Sequence, residues 1–164
     1  MTSSKARTRT VTWEDPLATL AAAAGLTGLE FMSSVFEGRL PPPPIMSTMG
    51  ITGGKVEEGK AVFLGEAGEH LYNPIGVVHG GFAMTILDSA MGCAVHTTLA
   101  AGERYTSLET KVNFVRAITA ETGPVRCEGV VVYRGGRVAT AEGKLIAEKS
   151  GKLLAHGTST CLVI

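Results

Sequence analysis

Apolar residues recur at intervals of three and four positions in the middle of the chain, between residues 81 and 99. Phe82, Ile86 and Ala90 belong to one broad apolar stripe, and this period is that of an α-helix with a buried face. The segment is also the longest stretch of the sequence with helical periodicity. We therefore expect a long, apolar helix at the centre of the fold.

Alternation of apolar and polar residues replaces the helical period on both sides of this segment, and it predicts β-strands. Gly53-Gly54 and Glu57-Glu58-Gly59 supply turn chemistry between the first two strands. Short glycine-containing turns separate the last three, which should form an antiparallel meander. The sequence therefore predicts an α+β domain in which one antiparallel sheet wraps around one long central helix. The predicted strands are residues 46–51, 60–67, 106–116, 125–133, 137–148 and 152–163.

The residues ahead of this domain have a different character. Residues 1–12 contain three basic residues and no acidic one, and we interpret them as a flexible tail. Residues 13–45 are predicted to form an N-terminal helical arm, with two short helices followed by a proline-rich spacer that must be extended. The α+β domain then occupies residues 46–164.

Composition narrows the possible functions. The chain has 164 residues, of which 45% are hydrophobic and 18% charged, and this excludes a disordered protein. Equal numbers of acidic and basic residues, 15 of each, argue against a nucleic-acid partner. The three cysteines have no metal-binding spacing, and no apolar stretch is long enough to span a membrane. We therefore expect a cytoplasmic protein without a membrane partner.

Candidate chemistry is concentrated at the start of the central helix, in the sequence His79-Gly80-Gly81. The first N–H groups of a helix have no partner inside it, and the helix dipole is positive there. Because glycines carry no side chain, a substrate carbonyl can approach these N–H groups closely, as in an oxyanion site. The histidine has a simpler interpretation as a helix cap, and Asn73 before it as a turn former.

Asp88 lies two turns further along the helix, away from the apolar stripe and on a face with Thr85, Gly81 and Gly92. A lone aspartate on a helix is usually a solvated charge. The small neighbours favour a second interpretation, in which another backbone packs against this face and half-buries the carboxylate. There it can act as a nucleophile or a general base. The residues alone thus indicate an acyl or carbonyl site.

The string Asn73-x5-His79-Gly80-Gly81-x6-Asp88 resembles the hotdog-fold acyl-CoA thioesterases of the PaaI and 4-hydroxybenzoyl-CoA thioesterase type. The resemblance covers residues 46–163. It implies that Asp88 acts as a nucleophile or as the base for water, and that the Gly80 N–H polarises the thioester carbonyl. It also implies that His79 and Asn73 hold the loop and contact the thioester region.

The same resemblance implies a hydroxyl group, from the strand after the helix of a second subunit, that positions water. Ser107 is the best match, and Thr106 is the reserve. A dimer would bring Gly80 of one chain near Asp88 of the other, giving two sites per dimer, and dimers of this family often pair into tetramers.

Substrate binding is expected to involve Gly81, Thr106 and a group of cations for the coenzyme A phosphates. Arg134, Arg137 and Lys144 lie on or beside a strand turn and match this role, although cations at turns are usually solvated. Coenzyme A is part of the substrate, so we expect no metal and no other cofactor. The sequence leaves open whether an acyl carrier protein replaces coenzyme A.

The arm of residues 13–45 is an addition to compact members of the family. Its residues Phe31, Met32, Val35 and Phe36 either line an acyl tunnel or bury the arm against the domain. Two alternatives to hydrolysis also stand. One is a hotdog hydratase or dehydratase acting on acyl thioesters, and the other is a non-catalytic regulator that binds acyl-CoA.

Overall fold

The computed structural model describes residues 5–164, and they form one antiparallel sheet packed around a long helix. The sheet has six strands in the order β1-β2-β4-β5-β6-β3, and helix α4 covers one of its faces. This arrangement confirms the predicted α+β fold and the meander of the last three strands. The strands are β1 (Ile51–Glu57), β2 (Lys60–Glu66), β3 (Tyr105–Phe114), β4 (Pro124–Arg134), β5 (Val138–Ala147) and β6 (Leu153–Val163), and the helices are α1 (Pro16–Ala22), α2 (Gly28–Phe36), α3 (Pro44–Met49) and α4 (Gly80–His96).

Helix α4 supplies the core through the stripe that its sequence predicts. Phe82, Ile86, Leu87 and Met91 are almost completely buried against the sheet. A Cβ atom at Gly129 of β4 would overlap the α4 backbone at Ala90, so the absence of a side chain there lets the sheet close onto the helix. The apolar side of the helix is thereby fixed to the sheet, while Asp88 on its other side is left exposed.

The predicted strand over residues 46–51 is wrong. The segment Pro44–Met49 is helix α3, and β1 begins only at Ile51 and runs through the predicted turn at Gly53-Gly54. Pro44 suits the first turn of a helix, and Gly50 ends it in the left-handed conformation, with φ of 72°. The turn between β1 and β2 is made by Glu58 and Gly59, within the second of the two predicted turn sequences.

The arm contains the two helices expected from its sequence. Asp15 caps α1 through the Leu17 N–H, and α2 begins with a capping box between Thr27 and Glu30. Helix α2 packs against β1 and α4, with Phe36 making an edge-to-face contact with Phe63 of β2. Helix α1, by contrast, buries none of its residues.

The described part of the predicted tail follows the domain surface without regular structure. Arg9 donates hydrogen bonds to the backbone carbonyls of Ser47 and Thr48, and Arg7 forms an ion pair with Glu69. Residues 1–4 lie outside the described residues, and the flexibility of the tail stays a prediction. Within residues 5–164, no helix is both long enough and apolar enough to cross a membrane.

Candidate active site

Helix α4 begins at the predicted position, and His79 is its N-cap. The Nδ1 atom of His79 accepts a hydrogen bond of 2.9 Å from the Gly81 N–H. Because Nδ1 acts as the acceptor, a neutral ring carries its proton on Nε2. The Gly80 N–H donates to no group within residues 5–164, so it is available to an oxygen from outside the fold.

Asn73 shapes the loop in front of this helix. Its Oδ1 accepts hydrogen bonds from the N–H groups of Ile75 and Val77, at 3.1 Å and 3.2 Å, and its own N–H donates to the Val77 carbonyl. The His79 N–H then donates to the Leu71 carbonyl, which closes the loop at its far end. The side-chain amide oxygen of Asn73 is therefore engaged in the turn, and the loop presents His79 and Gly80 in a fixed orientation.

A cleft of about 390 Å³ opens beside Gly80, between the start of α4 and the end of β3. The ring of Phe114 forms one wall, and a Cβ atom at Gly80 would lie 3.0 Å from two of its carbon atoms. Any side chain at Gly80 would thus press on Phe114 and narrow the approach to the helix N–H groups. Sequence reasoning missed Phe114 as a site residue, because its place beside the helix depends on the register of β3.

Asp88 projects from the exposed face of α4 toward β3. Its Oδ1 accepts hydrogen bonds from the hydroxyl groups of Ser107, at 3.2 Å, and Thr110, at 3.0 Å. Its Oδ2 accepts none from the described chain, residues 5–164, and forms no ion pair there. One carboxylate oxygen is therefore anchored while the other is free to act as a nucleophile or a base.

Ser107 and Thr106 lie on opposite faces of β3, and only Ser107 contacts Asp88. Ser107 and Thr110 pair with Cys161 and Ser159 on the helix-facing side of β6, whereas Thr106 pairs with Leu162 and faces away. Ser107 also reaches Asp88 within its own chain, so this contact does not need the second subunit that the resemblance implied.

Sequence reasoning missed Thr110 because of an irregularity in β3. The ladder between β3 and β6 shifts register between Ser107 and Glu109, so a β-bulge at Leu108 places both Ser107 and Thr110 on the same face. Strict alternation from Ser107 would put Thr110 on the opposite face. Behind Thr110, the buried hydroxyl of Ser159 lies 3.2 Å away and donates to the Glu109 carbonyl.

Burial keeps the groups around Asp88 uncharged. It raises the pKa of the Cys93 thiol to about 12, with the nearby negative charge of Asp88 as a smaller cause. Burial also raises the pKa of the Tyr105 hydroxyl. Both groups are therefore neutral near pH 7, and Cys93 is a poor nucleophile there. Gly92, which was expected to admit a second backbone, instead makes room for the Tyr105 ring.

The three predicted phosphate ligands do not meet at Asp88 within one chain. Arg134 forms an ion pair of 3.2 Å with Glu103, and Arg137 is exposed in the turn that follows β4. Lys144 is exposed on the outer face of β5, about 17 Å along the strand from the residue paired with Arg134. Their role in binding coenzyme A stays a prediction.

The predicted oxyanion donor and the predicted catalytic carboxylate are also separated. Gly80 and Asp88 stand eight residues apart on α4, or about 12 Å along its axis. A single thioester carbonyl cannot contact both in one chain. The geometry thus yields two half-sites, one with the Gly80 N–H, which donates to no group of residues 5–164, and one with an anchored carboxylate.

The fold agrees with the comparisons to known proteins. The family model of the thioesterase superfamily matches residues 75–154, which include both Gly80 and Asp88. A search of curated proteins found no match.

Solved structures of PaaI-type proteins are similar over most of the chain. A phenylacetic acid degradation-related protein from Ralstonia eutropha JMP134 is 28% identical, with a TM-score of 0.71, over 80% of this chain and 98% of its own. A single-residue variant of the phenylacetic acid degradation protein PaaI from Thermus thermophilus is 30% identical, with a TM-score of 0.65, over 73% of this chain and 98% of its own. The PaaI protein from Escherichia coli, at 17% identity, has the same fold, with a TM-score of 0.71 over 85% of this chain and 96% of its own.

The fold and the family match define a hotdog-fold thioester hydrolase. The chain belongs to the thioesterase superfamily, and within it to the PaaI type.

Proposed function

We propose that the protein hydrolyses acyl-CoA thioesters and that Asp88 is its central catalytic residue. The observation that carries the proposal is the state of the carboxylate. Its Oδ1 is held by Ser107 and Thr110, and its Oδ2 accepts no hydrogen bond from residues 5–164. A carboxylate fixed in this way loses little orientational freedom on reacting, which favours its use as a nucleophile or base.

Hydrolysis requires an oxyanion donor opposite the attacking group, and the free Gly80 N–H at the positive end of α4 fits that role. In the water-mediated form, Oδ2 of Asp88 takes a proton from water and the water oxygen attacks the carbonyl carbon. The carbon–sulfur bond then breaks, and Asp88 returns the proton to the leaving thiolate. In the direct form, Oδ2 itself attacks and displaces the thiolate; water then cleaves the resulting anhydride, which regenerates the Asp88 carboxylate and supplies the proton that the thiolate takes up. Both routes end in a carboxylic acid and free coenzyme A, and neither needs a metal or a redox cofactor.

A dimer would place the two half-sites on one carbonyl, with Gly80 from one chain and Asp88 from the other. The surface around them supports such a contact. Within residues 5–164, β3 is hydrogen-bonded only to β6, so its other edge is unpaired. Leu108 and Phe114 of this strand are exposed, and so is Met84 of α4. Pairing of β3 with a second copy would cover these side chains and give two sites per dimer, and dimers could pair further into tetramers.

Coenzyme A would be bound by groups near each half-site and by cations of a neighbouring chain. His79, Gly81 and the Asn73 turn would border the thioester, with the His79 Nε2–H as a donor. Arg134, Arg137 and Lys144 would bind phosphates only where subunit packing brings them to the entrance of the site.

The experiment is an assay of acyl-CoA thioesters with a thiol-trapping reagent. The panel should include acetyl-, hexanoyl-, decanoyl- and phenylacetyl-CoA. Release of coenzyme A from at least one of them, with formation of the free acid, supports the proposal. Formation of an enoyl product from a 3-hydroxyacyl-CoA without thiol release would support a hydratase instead. Binding without either reaction would support a non-catalytic role.

A further inference from the structure

A second cavity, of about 360 Å³, is bordered by Asp88, whereas neither Ser107 nor Thr110 lines it. Its floor is formed by α4 at Asp88, Ser89 and Cys93, and by Phe63 of β2. Most of the remaining lining belongs to the N-terminal arm, and Met46 of α3 and Tyr105 of β3 complete it. The arm residues include Leu20, Phe31, Met32, Val35, Pro43 and Ile45. The volume is within the range of small-molecule sites in proteins.

The exposed apolar side chains of helix α1 are independent evidence that the cavity holds an apolar group. It buries no residue of its own, and Leu20 exposes 60% of its surface although it faces the cavity. Ile45, at the start of α3, exposes 46% there. An apolar group in the cavity would cover both side chains and supply the packing that α1 lacks.

The electrostatics of the cavity limit what it can accept. Among the described residues that line it, Asp88 is the only aspartate or glutamate, and burial raises the pKa values of Cys93 and Tyr105. The described lining contains no lysine, arginine or histidine. A carboxylate brought into this cavity would lose its hydration without gaining a cation and would face Asp88.

We propose that this cavity binds the acyl group of the substrate and that the arm, through Leu20 and Ile45, limits its length. The substrates are then acyl-CoAs with an uncharged, apolar acyl group longer than acetyl, and dicarboxylic acyl-CoAs are excluded. The inference rests on the proposed function, since it places the thioester carbonyl at Asp88. The arm then has both of the functions considered for it, packing against the domain and lining the acyl site, because Met32 and Val35 are buried and also line the cavity.

Thioether analogues separate this inference from the proposed hydrolysis, because an enzyme of this kind cannot cleave them. The affinities of S-ethyl-CoA and S-octyl-CoA for the full-length protein would be measured by calorimetry. We expect S-octyl-CoA to bind at least about tenfold more tightly, since six additional methylene groups would be removed from water. An S-alkyl-CoA of the same length with a terminal carboxylate should bind no more tightly than S-ethyl-CoA.

Two substitutions test the arm, and one serves as a matched control. Leu20→Trp and Ile45→Trp add bulk at exposed positions of the cavity wall, where the fold can accept it. Each should reduce the preference for S-octyl-CoA to below about threefold. Leu17→Trp, on the same helix but outside the cavity and 73% exposed, should keep the preference of the unmodified protein.

Three results would overturn the inference. They are equal affinity for the two thioethers, equal effects of the Leu17 and Leu20 substitutions, and tight binding of the carboxylate-terminated analogue. Failure of the proposed function looks different, because the thioethers would still be discriminated while no acyl-CoA releases thiol. Thiol release with no discrimination between the thioethers would instead remove the acyl cavity and leave the hydrolase.

Discussion

The hydroxyl oxygen of Thr110 lies 3.0 Å from Oδ1 of Asp88, so a side chain of β3 holds the carboxylate that projects from α4. Ser107 contacts the same oxygen from 3.2 Å. The two hydroxyl groups act from one strand because a bulge lies between them. They leave Oδ2 as the oxygen that can react.

Removal of the Thr110 hydroxyl should slow turnover without changing the fold. Thr110→Val deletes a hydrogen bond to a charged group, so kcat should fall by about 10–100-fold while KM changes little. Thr110→Ser keeps the hydroxyl and should restore most of the activity. Thr106→Val on the opposite face is the matched control and should behave like the unmodified enzyme. Equal kcat values for Thr110→Val and Thr106→Val would show that the contact has no catalytic role.

A methyl group at Gly80 should obstruct the N–H groups at the start of α4. The added Cβ would lie 3.0 Å from the Phe114 ring, so the ring must move or the cleft must narrow. We expect Gly80→Ala to lower kcat/KM by about 10²-fold, as for the loss of one oxyanion donor. Gly136→Ala, where no atom lies within 4 Å of the added Cβ, is the control. Steady-state kinetics of the two variants, with circular dichroism to verify folding, would decide the point.

Disruption of the β3 edge should both separate the subunits and abolish activity. Leu108→Lys places a charge on the exposed bulge, and two such charges would meet in a dimer that pairs its β3 edges. Light scattering should then report monomers, and thiol release should fall in parallel because Gly80 and Asp88 no longer share a carbonyl. Leu17→Lys, at another exposed leucine, should leave both properties unchanged. A fully active monomer would contradict the shared site.

The stability of the fold should decrease as the pH falls below about 6.5. Burial lowers the pKa of His96, which packs against Tyr105 with ring centroids 5.5 Å apart. The unfolded chain therefore binds a proton at this residue at a higher pH than the folded protein does, and protonation favours unfolding between the two pKa values. Burial lowers the pKa of His70 too, so it contributes in the same direction.

Thermal unfolding between pH 7 and pH 5 checks this prediction. His96→Phe should lose less of its stability over that range than the unmodified protein, and His156→Gln, at an exposed position, should follow the unmodified curve. If His96→Phe and the unmodified protein show the same pH dependence, burial of His96 does not cause it.

Much of the fold followed from patterns that local physics determines. The central helix and five of the six strands could be located because their apolar period is long and regular, as in the stripe of Phe82, Ile86 and Ala90. Helix α3 could not, because Pro44–Met49 is too short for its period to separate a helix from a strand. Its identity depends on Gly50, whose positive φ ends the helix.

The candidate site could likewise be predicted only in part from the sequence. His79, Gly80 and Asp88 could be proposed from their spacing along one helix, which fixes their relative positions. Thr110 could not, since its orientation depends on a bulge that sequence alternation does not reveal. An acyl cavity lined by the arm could be stated only as one of two alternatives, because the side chains of its wall lie far from Asp88 in the sequence.

Comparison of Asp88→Asn with the unmodified enzyme tests the central claim most directly. Thiol release from the best acyl-CoA substrate would be measured for both, together with Glu142→Gln as a control at an exposed carboxylate on β5. We predict that Asp88→Asn folds and binds S-octyl-CoA but loses about 10²–10⁴-fold in kcat, while Glu142→Gln keeps full activity. Turnover by folded Asp88→Asn within about threefold of the unmodified enzyme would contradict the account.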